Sequence, residues 1–224
     1  MNATARDAVA LAVAGIVLVA LALAGHAKDA QTTSISSTYD AGRNGYRALY
    51  RVLESAHVPV RQLRRSLTTI TPGGTLVLSD NSGEPARIAF DRADRAALSR
   101  FVSGGGRLVV LFGDFDAIRD VVPHAPKTSA ASVEVAIAPT VLRTAAGVRT
   151  VDAPSQSAFV RSAGAMALLV SPAGDRVAIA YRIGKGSVIA VTSPEAFGNE
   201  RLAKRDNVLF AYAVLAGHGP VVFD

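Results

Sequence analysis

The sequence has no cysteine and no tryptophan, and aromatic residues make up only 6% of its 224 positions. The missing cysteine excludes disulfides, thiolate metal sites and cysteine nucleophiles together. Acidic residues are also in short supply: 18 against 24 basic ones give a net charge of +6. The first 25 residues hold one arginine and one aspartate, so this excess belongs to the rest of the chain. A basic surface can meet nucleic acid, anionic lipid or an acidic partner. Nucleic-acid readers cluster their basic residues and interleave stacking aromatics. Here the arginines are spread, with one dense run at Arg61, Arg64 and Arg65, so the expectation is no nucleic acid, with lipid headgroups as the simpler counterpart.

Apolar residues are plentiful, at 50% of the chain, which is ample for a packed core. Ala8 to Gly25 is an uncharged run of 18 residues. As a helix it would be about 27 Å long, close to the hydrocarbon thickness of a bilayer. The reading is a transmembrane helix over 8–25 behind a short tail, 1–7, and a polar spacer over 26–41. A signal peptide competes, with small-residue sites at Ala22-Leu23-Ala24 and Gly25-His26-Ala27. The run is long for such a core and only Arg6 charges its leading end, which favours a retained anchor. A buried helix of the core is the third reading. The short leading tail favours a body outside the cytoplasm, at the cell membrane.

From residue 42 to 224 the pattern reads as one α/β domain. Tyr46, Leu49, Tyr50 and Leu53 fall at helical spacing, with Asn44 as N-cap. Thr75 to Ser79 is an apolar strand after the Pro72-Gly73-Gly74 turn. Asp91 and Asp94 open a helix that Gly104-Gly105-Gly106 stops, and Arg107 to Gly113 is the next strand. Strand, helix, strand with an apolar second strand predicts a parallel pair. The stretch near 114–165 reads as a β-rich insertion or irregular cover, with strands at Ser132 to Ala138 and near 148–151 and 157–161. Three strands then follow on short turns: Ala165 to Ser171, Arg176 to Gly184 and Ser187 to Ser193, an antiparallel meander. A helix is expected from about Asn199 to Ala216. Val221 to Phe223 reads as a strand cut off at its end, so the chain is expected to continue beyond Asp224.

No enzymatic template fits. Gly184-Lys185-Gly186-Ser187 lacks the Gly-Lys-Ser/Thr continuity of a phosphate loop and sits between two strands. Gly104-Gly105-Gly106 precedes its strand, which a dinucleotide fingerprint does not. No G-x-S-x-G elbow occurs. The histidines, His26, His57, His124 and His218, show no ligand spacing, so neither a metal nor a cofactor is expected. Of the carboxylates Asp80, Asp114, Asp116 and Glu195, three follow the ends of predicted strands: Asp80, Asp114 and Glu195. In open α/β sheets ligands bind beyond those ends. A crevice there would be lined by Ser79, Asp80, Asp114, Ser193 and Asn199. The acids could equally cap the next helices. Asp206-Asn207 either faces solvent or packs against the loop after Ser193.

Six segments in order carry a family resemblance. They are S-x-Y-D-x-G-x-N-G-Y-R-A-L-Y-R-V-L (Ser37 to Leu53), P-G-G-T-L-V-L (Pro72 to Leu78), R-F-V-S-G-G-G-R-L-V-V-L (Arg100 to Leu111), G-K-G-S-V-I-A-V-T-S (Gly184 to Ser193), N-E-R-L-A-K-R-D-N (Asn199 to Asn207) and P-V-V-F-D (Pro220 to Asp224). The chain resembles bacterial domain-of-unknown-function family 4350, whose core is similar to class I glutamine amidotransferases. The resemblance implies a flavodoxin-like, amidotransferase-like mixed sheet flanked by helices, without the catalytic cysteine. It implies a second membrane helix beyond Asp224, and neighbours that include AAA+ ATPases of the MoxR type and von Willebrand factor-like proteins. The function expected is therefore a membrane-anchored, non-catalytic binding or scaffold domain in a bacterial membrane complex. The alternatives are an extracytoplasmic receptor for a small polar ligand or sugar, and after it a divergent hydrolase.

Overall fold

The computed structural model describes residues 38–63, 66–79, 90–111, 127–161 and 164–224. Strands dominate. In chain order the elements are α1 (Arg47–Ser55), β1 (Val60–Gln62), a 3-10 turn (Leu67–Thr69), β2 (Thr75–Ser79), α2 (Arg92–Ser103), β3 (Arg107–Leu111), β4 (Thr128–Ile137), α3 (Thr140–Ala146), β5 (Thr150–Phe159), β6 (Met166–Val170), β7 (Arg176–Ile183), β8 (Gly186–Val191), a second 3-10 turn (Pro194–Phe197), α4 (Asn207–Leu215) and β9 (Val221–Phe223).

The nine strands of the described residues join one sheet in the order β1-β9-β2-β3-β8-β7-β5-β4-β6. The first five are mutually parallel. Their residues alternate between two cores. Val77, Val109, Ile189 and Val221 meet α1 and α4 on one face, while Leu76, Leu108, Val188 and Val222 meet α2 on the other. Burial on both faces explains why β2 and β3 are apolar without alternation.

Beyond β8 the sheet turns antiparallel and curls. β7 pairs with β5, β5 with β4, β4 with β6, and β6 with β7 again, so four strands close a small barrel. Two bulges supply the bend. Ala131 and Ser132 face Gln156 alone, and Ala153 and Pro154 face Glu134 alone. The core side chains here are small or medium aliphatics, among them Val133, Ala136, Val151, Ala153 and Leu169, which allows tight closure.

This architecture corrects the expected fold. It is not a flavodoxin-like or amidotransferase-like α/β sheet flanked by helices but a largely β structure with a closed barrel and few helices. The described part of 114–165 is no insertion or cover, since β4 and β5 are integral strands. The short runs near 148–151 and 157–161 belong to one strand, which Pro154 made look broken. Proline is tolerated there because it falls in the bulge. Helix α1 has Tyr46, not Asn44, at its N-cap. The last helix is half the expected length, because residues 199–206 form turns. The apolar run 8–25, its tail and the spacer up to residue 37 lie outside the described residues. Among the described residues no helix is long and apolar enough to cross a membrane.

Candidate functional site

The carboxyl ends of the parallel strands bring Ser79 and Ser193 to one edge of the sheet, with β3 between them. Two strand spacings put them about 10 Å apart. Asp80, Asp114 and Asp116 lie outside the described residues. Asn199 stands on the loop that follows Ser193, and its side chain is fully engaged. Its Nδ2 donates to the carbonyls of Asp40 (3.0 Å) and Gly42 (2.7 Å), while Oδ1 accepts from the Ala48 N–H at 2.7 Å. The last bond satisfies a free amide at the start of α1, the task expected of a capping residue.

Backbone bonds extend this clamp. Asn199 N–H donates to Gly45 O, and Glu200 N–H to Arg43 O. A two-pronged ion pair closes it on the outside, with Arg43 Nη2 at 2.6 Å and Nε at 2.9 Å from the Glu200 carboxylate. The hydrogen bond from Arg43 is the main reason the Glu200 carboxyl titrates below its usual range. Gly45 allows the close approach, because a Cβ there would collide with the Asp40 carbonyl. The described part of the first motif, up to Leu53, and the start of the one from Asn199 to Asn207 are thus two halves of one joint.

Asp206 and Asn207 form the second joint and are not solvent-facing as a pair, since Asn207 is wholly buried. Asp206 Oδ2 accepts from the N–H groups of Arg149 (2.8 Å) and Thr150 (3.0 Å). Asn207 Oδ1 accepts from Asp152 N–H at 2.8 Å, and Nδ2 donates to the carbonyls of Asp152 (2.9 Å) and Ala196 (3.0 Å). The dipeptide acts as a stand-in strand along the edge of β5. Arg201 forms an ion pair with Asp152 beside it, and the Ser155 hydroxyl donates to Thr192 O at 2.9 Å. Sequence reasoning left this pair undecided, although α4 carries a signal. A helix apolar on every side must be buried, and polar residues at its start must then find partners.

Three groups at this edge differ from the rest. Ser193 is fully buried, and its Oγ has no hydrogen-bond partner among the described residues. Glu195, in the turn that follows, keeps an exposed side chain, yet desolvation by the surrounding protein pushes its carboxyl above its ordinary range. Its own backbone amide and Arg201 act in the opposite direction. Asp224, which ends β9 on the same edge, is raised by burial and by nearby Asp94. Among the described residues no group of three histidine, aspartate or glutamate side chains could hold a metal ion.

Fold and site define a mixed-sheet domain in which a parallel half and a small barrel are bolted together by asparagine and aspartate side chains. The chain belongs to the family described as Domain of unknown function (DUF4350), whose model matches residues 38–215. No curated protein matches the sequence. Solved structures similar to it include the mmIFT52 N-terminal domain, at 16% identity and TM-score 0.46, over 62% of this chain and 74% of that one. The exo-β-1,4-mannosidase Op5Man5 from Opitutaceae bacterium strain TAV5 has 17% identity and TM-score 0.47, over 76% of this chain. The match spans only 31% of the mannosidase. Cytoplasmic protein STM1381 from Salmonella typhimurium LT2 has 12% identity and TM-score 0.46, over 70% of this chain and 77% of that one.

Proposed function

We propose that the chain is a non-catalytic binding or scaffold domain held at a bacterial membrane surface by its apolar run, with the carboxyl edge of the parallel strands as its contact edge. One observation carries this reading: the polar side chains that gather there, Asn199, Asp206 and Asn207, are committed to holding backbone. A group bonded on every side makes a rigid edge and a poor proton shuttle. Its partners are membrane lipid and proteins of a membrane complex, with the MoxR-type ATPases suggested by family resemblance the first to examine. Photocrosslinkers placed at Arg43 and Lys204, on the rim of the edge, should give a discrete protein adduct in native membranes, and one at Val141 should not. Identical adducts from all three positions, or none, would remove the proposal. So would turnover of an ester, amide or glycoside that is lost in Asp114→Asn.

Ser193 favours a second reading, a receptor for a small polar ligand. An orphan buried hydroxyl costs about 1–3 kcal/mol unless something bonds it. A thermal-shift screen with sugars and polar metabolites tests this, and a ligand whose shift survives Ser193→Ala would refute it.

A further inference from the structure

The opposite, amino ends of the parallel strands carry a feature independent of that reading. A cleft of about 70 Å³ opens on the α2 face of the sheet. Leu76 on β2, Val222 on β9, Phe101 on α2 and Ile70 after the first 3-10 turn give it an apolar side, and polar atoms supply nearly as much of its lining. Arg61 stands at the rim. It is in register with Val222 across the β1–β9 pair, so both side chains point to the same face. The Arg61 guanidinium has no hydrogen bond or ion pair among the described residues. Gly73 and Gly74 form a wall without side chains. A Cβ on Gly74 would press on the Pro220 carbonyl at 2.7 Å, and Gly73 sits at φ +99° beside open space.

Size and charge together select a ligand. An apolar cavity of about 150 Å³ accepts benzene, so half that volume suits a branched group of three or four carbons. An unpaired guanidinium at the mouth is suited to a planar carboxylate, which it can grip through two parallel N–H···O bonds. We propose that this cleft binds a free, short, branched aliphatic carboxylate, its alkyl end on Leu76, Phe101 and Val222 and its carboxylate on Arg61. A ligand of seven heavy atoms held this way should bind with a dissociation constant on the order of 1 mM.

Isovalerate is the probe, titrated into the full chain in lipid nanodiscs and read by saturation-transfer NMR on its methyl signals, with empty nanodiscs as the blank. The expected result is saturable transfer, at least tenfold weaker for the isosteric neutral isovaleramide. Arg61→Gln, a change at an exposed side chain, should weaken isovalerate at least tenfold and leave isovaleramide unchanged. Thr71→Trp, at the exposed lip, should block both. Lack of saturation, equal binding of acid and amide to the unmodified chain, or an undiminished response in Arg61→Gln would each overturn the proposal.

Discussion

At the scale of single residues, Asn199 is the most consequential side chain described. Removing it in Asn199→Ala takes a donor from the Asp40 and Gly42 carbonyls, the second of which keeps the Gly45 N–H, and an acceptor from the helix-end Ala48 amide, a loss of about 2–4 kcal/mol that urea denaturation would register as a lower midpoint at unchanged slope. Asn199→Asp should cost more, because it turns an acceptor toward the carbonyls of Asp40 and Gly42, and the near-isosteric shape cannot help. Glu195 behaves in the opposite sense. Its carboxyl is raised in the folded state, so folding favours its protonated form, and the associated stability is present at acid pH and lost as pH rises through the folded pKa. Glu195→Gln should therefore be neutral near pH 4 and slightly stabilising at pH 7. The gain will be under about 1 kcal/mol because the side chain is solvent-accessible. Thermal melts at the two pH values distinguish this from a uniform effect. Neither role can be read from residue type. Asn199 belongs to a motif visible in the sequence, but its partners lie about 150 positions away, and a one-dimensional reading sees a polar loop residue facing a crevice.

At the scale of elements, the stand-in strand made by Asp206 and Asn207 explains how β5 survives with little strand partner on that side. Unpaired strand edges invite slippage and association. Asn207→Ala should expose the amide and carbonyl of Asp152, destabilise by about 1–3 kcal/mol, and speed hydrogen exchange in β5 more than in β2 or β3. Uniform acceleration across all strands would show instead that the joint matters only globally. The Gly184-Lys185-Gly186 turn is a packing device of the same order. A Cβ at Gly186 would collide with the carbonyls of Val102 and Gly106, so Gly186→Ala should detach the β7–β8 turn from the end of α2 and lower the melting temperature by several degrees. Elements were legible where local signals agree. Asp91 does cap α2, accepting from Asp94 N–H; β2, β3 and the β6–β7–β8 meander lie where period and turns put them. Legibility failed in the other two barrel strands, β4 and β5, where bulges at Ala131–Ser132 and Ala153–Pro154 interrupt the two-residue period on which strand reading depends.

At the scale of the whole molecule, the parallel half was readable as strand–helix–strand and the curling of the other half was not. Closure rests on single registered contacts, Phe159 with Arg176 and Ile137 with Val170, which no stretch of sequence announces. The proposed attachment to a membrane belongs to this scale too. The full chain should stay with membranes through a wash at high salt, since burial of the 8–25 run would not be screened as surface charge is. A variant lacking 8–25 should be released by that wash; retention of the variant would assign attachment to the basic surface instead.

The position of β9 has a further consequence, one of timing. A ribosome delivers β1 and β2 long before residues 221–223, yet those residues form the rung that joins the two strands. During synthesis the sheet therefore waits with a gap one strand in from its edge, with nothing to bridge β1 to β2. Such distant pairing is slow to form, and a growing chain in that state would depend on a chaperone or on speed to avoid being zipped to a neighbour.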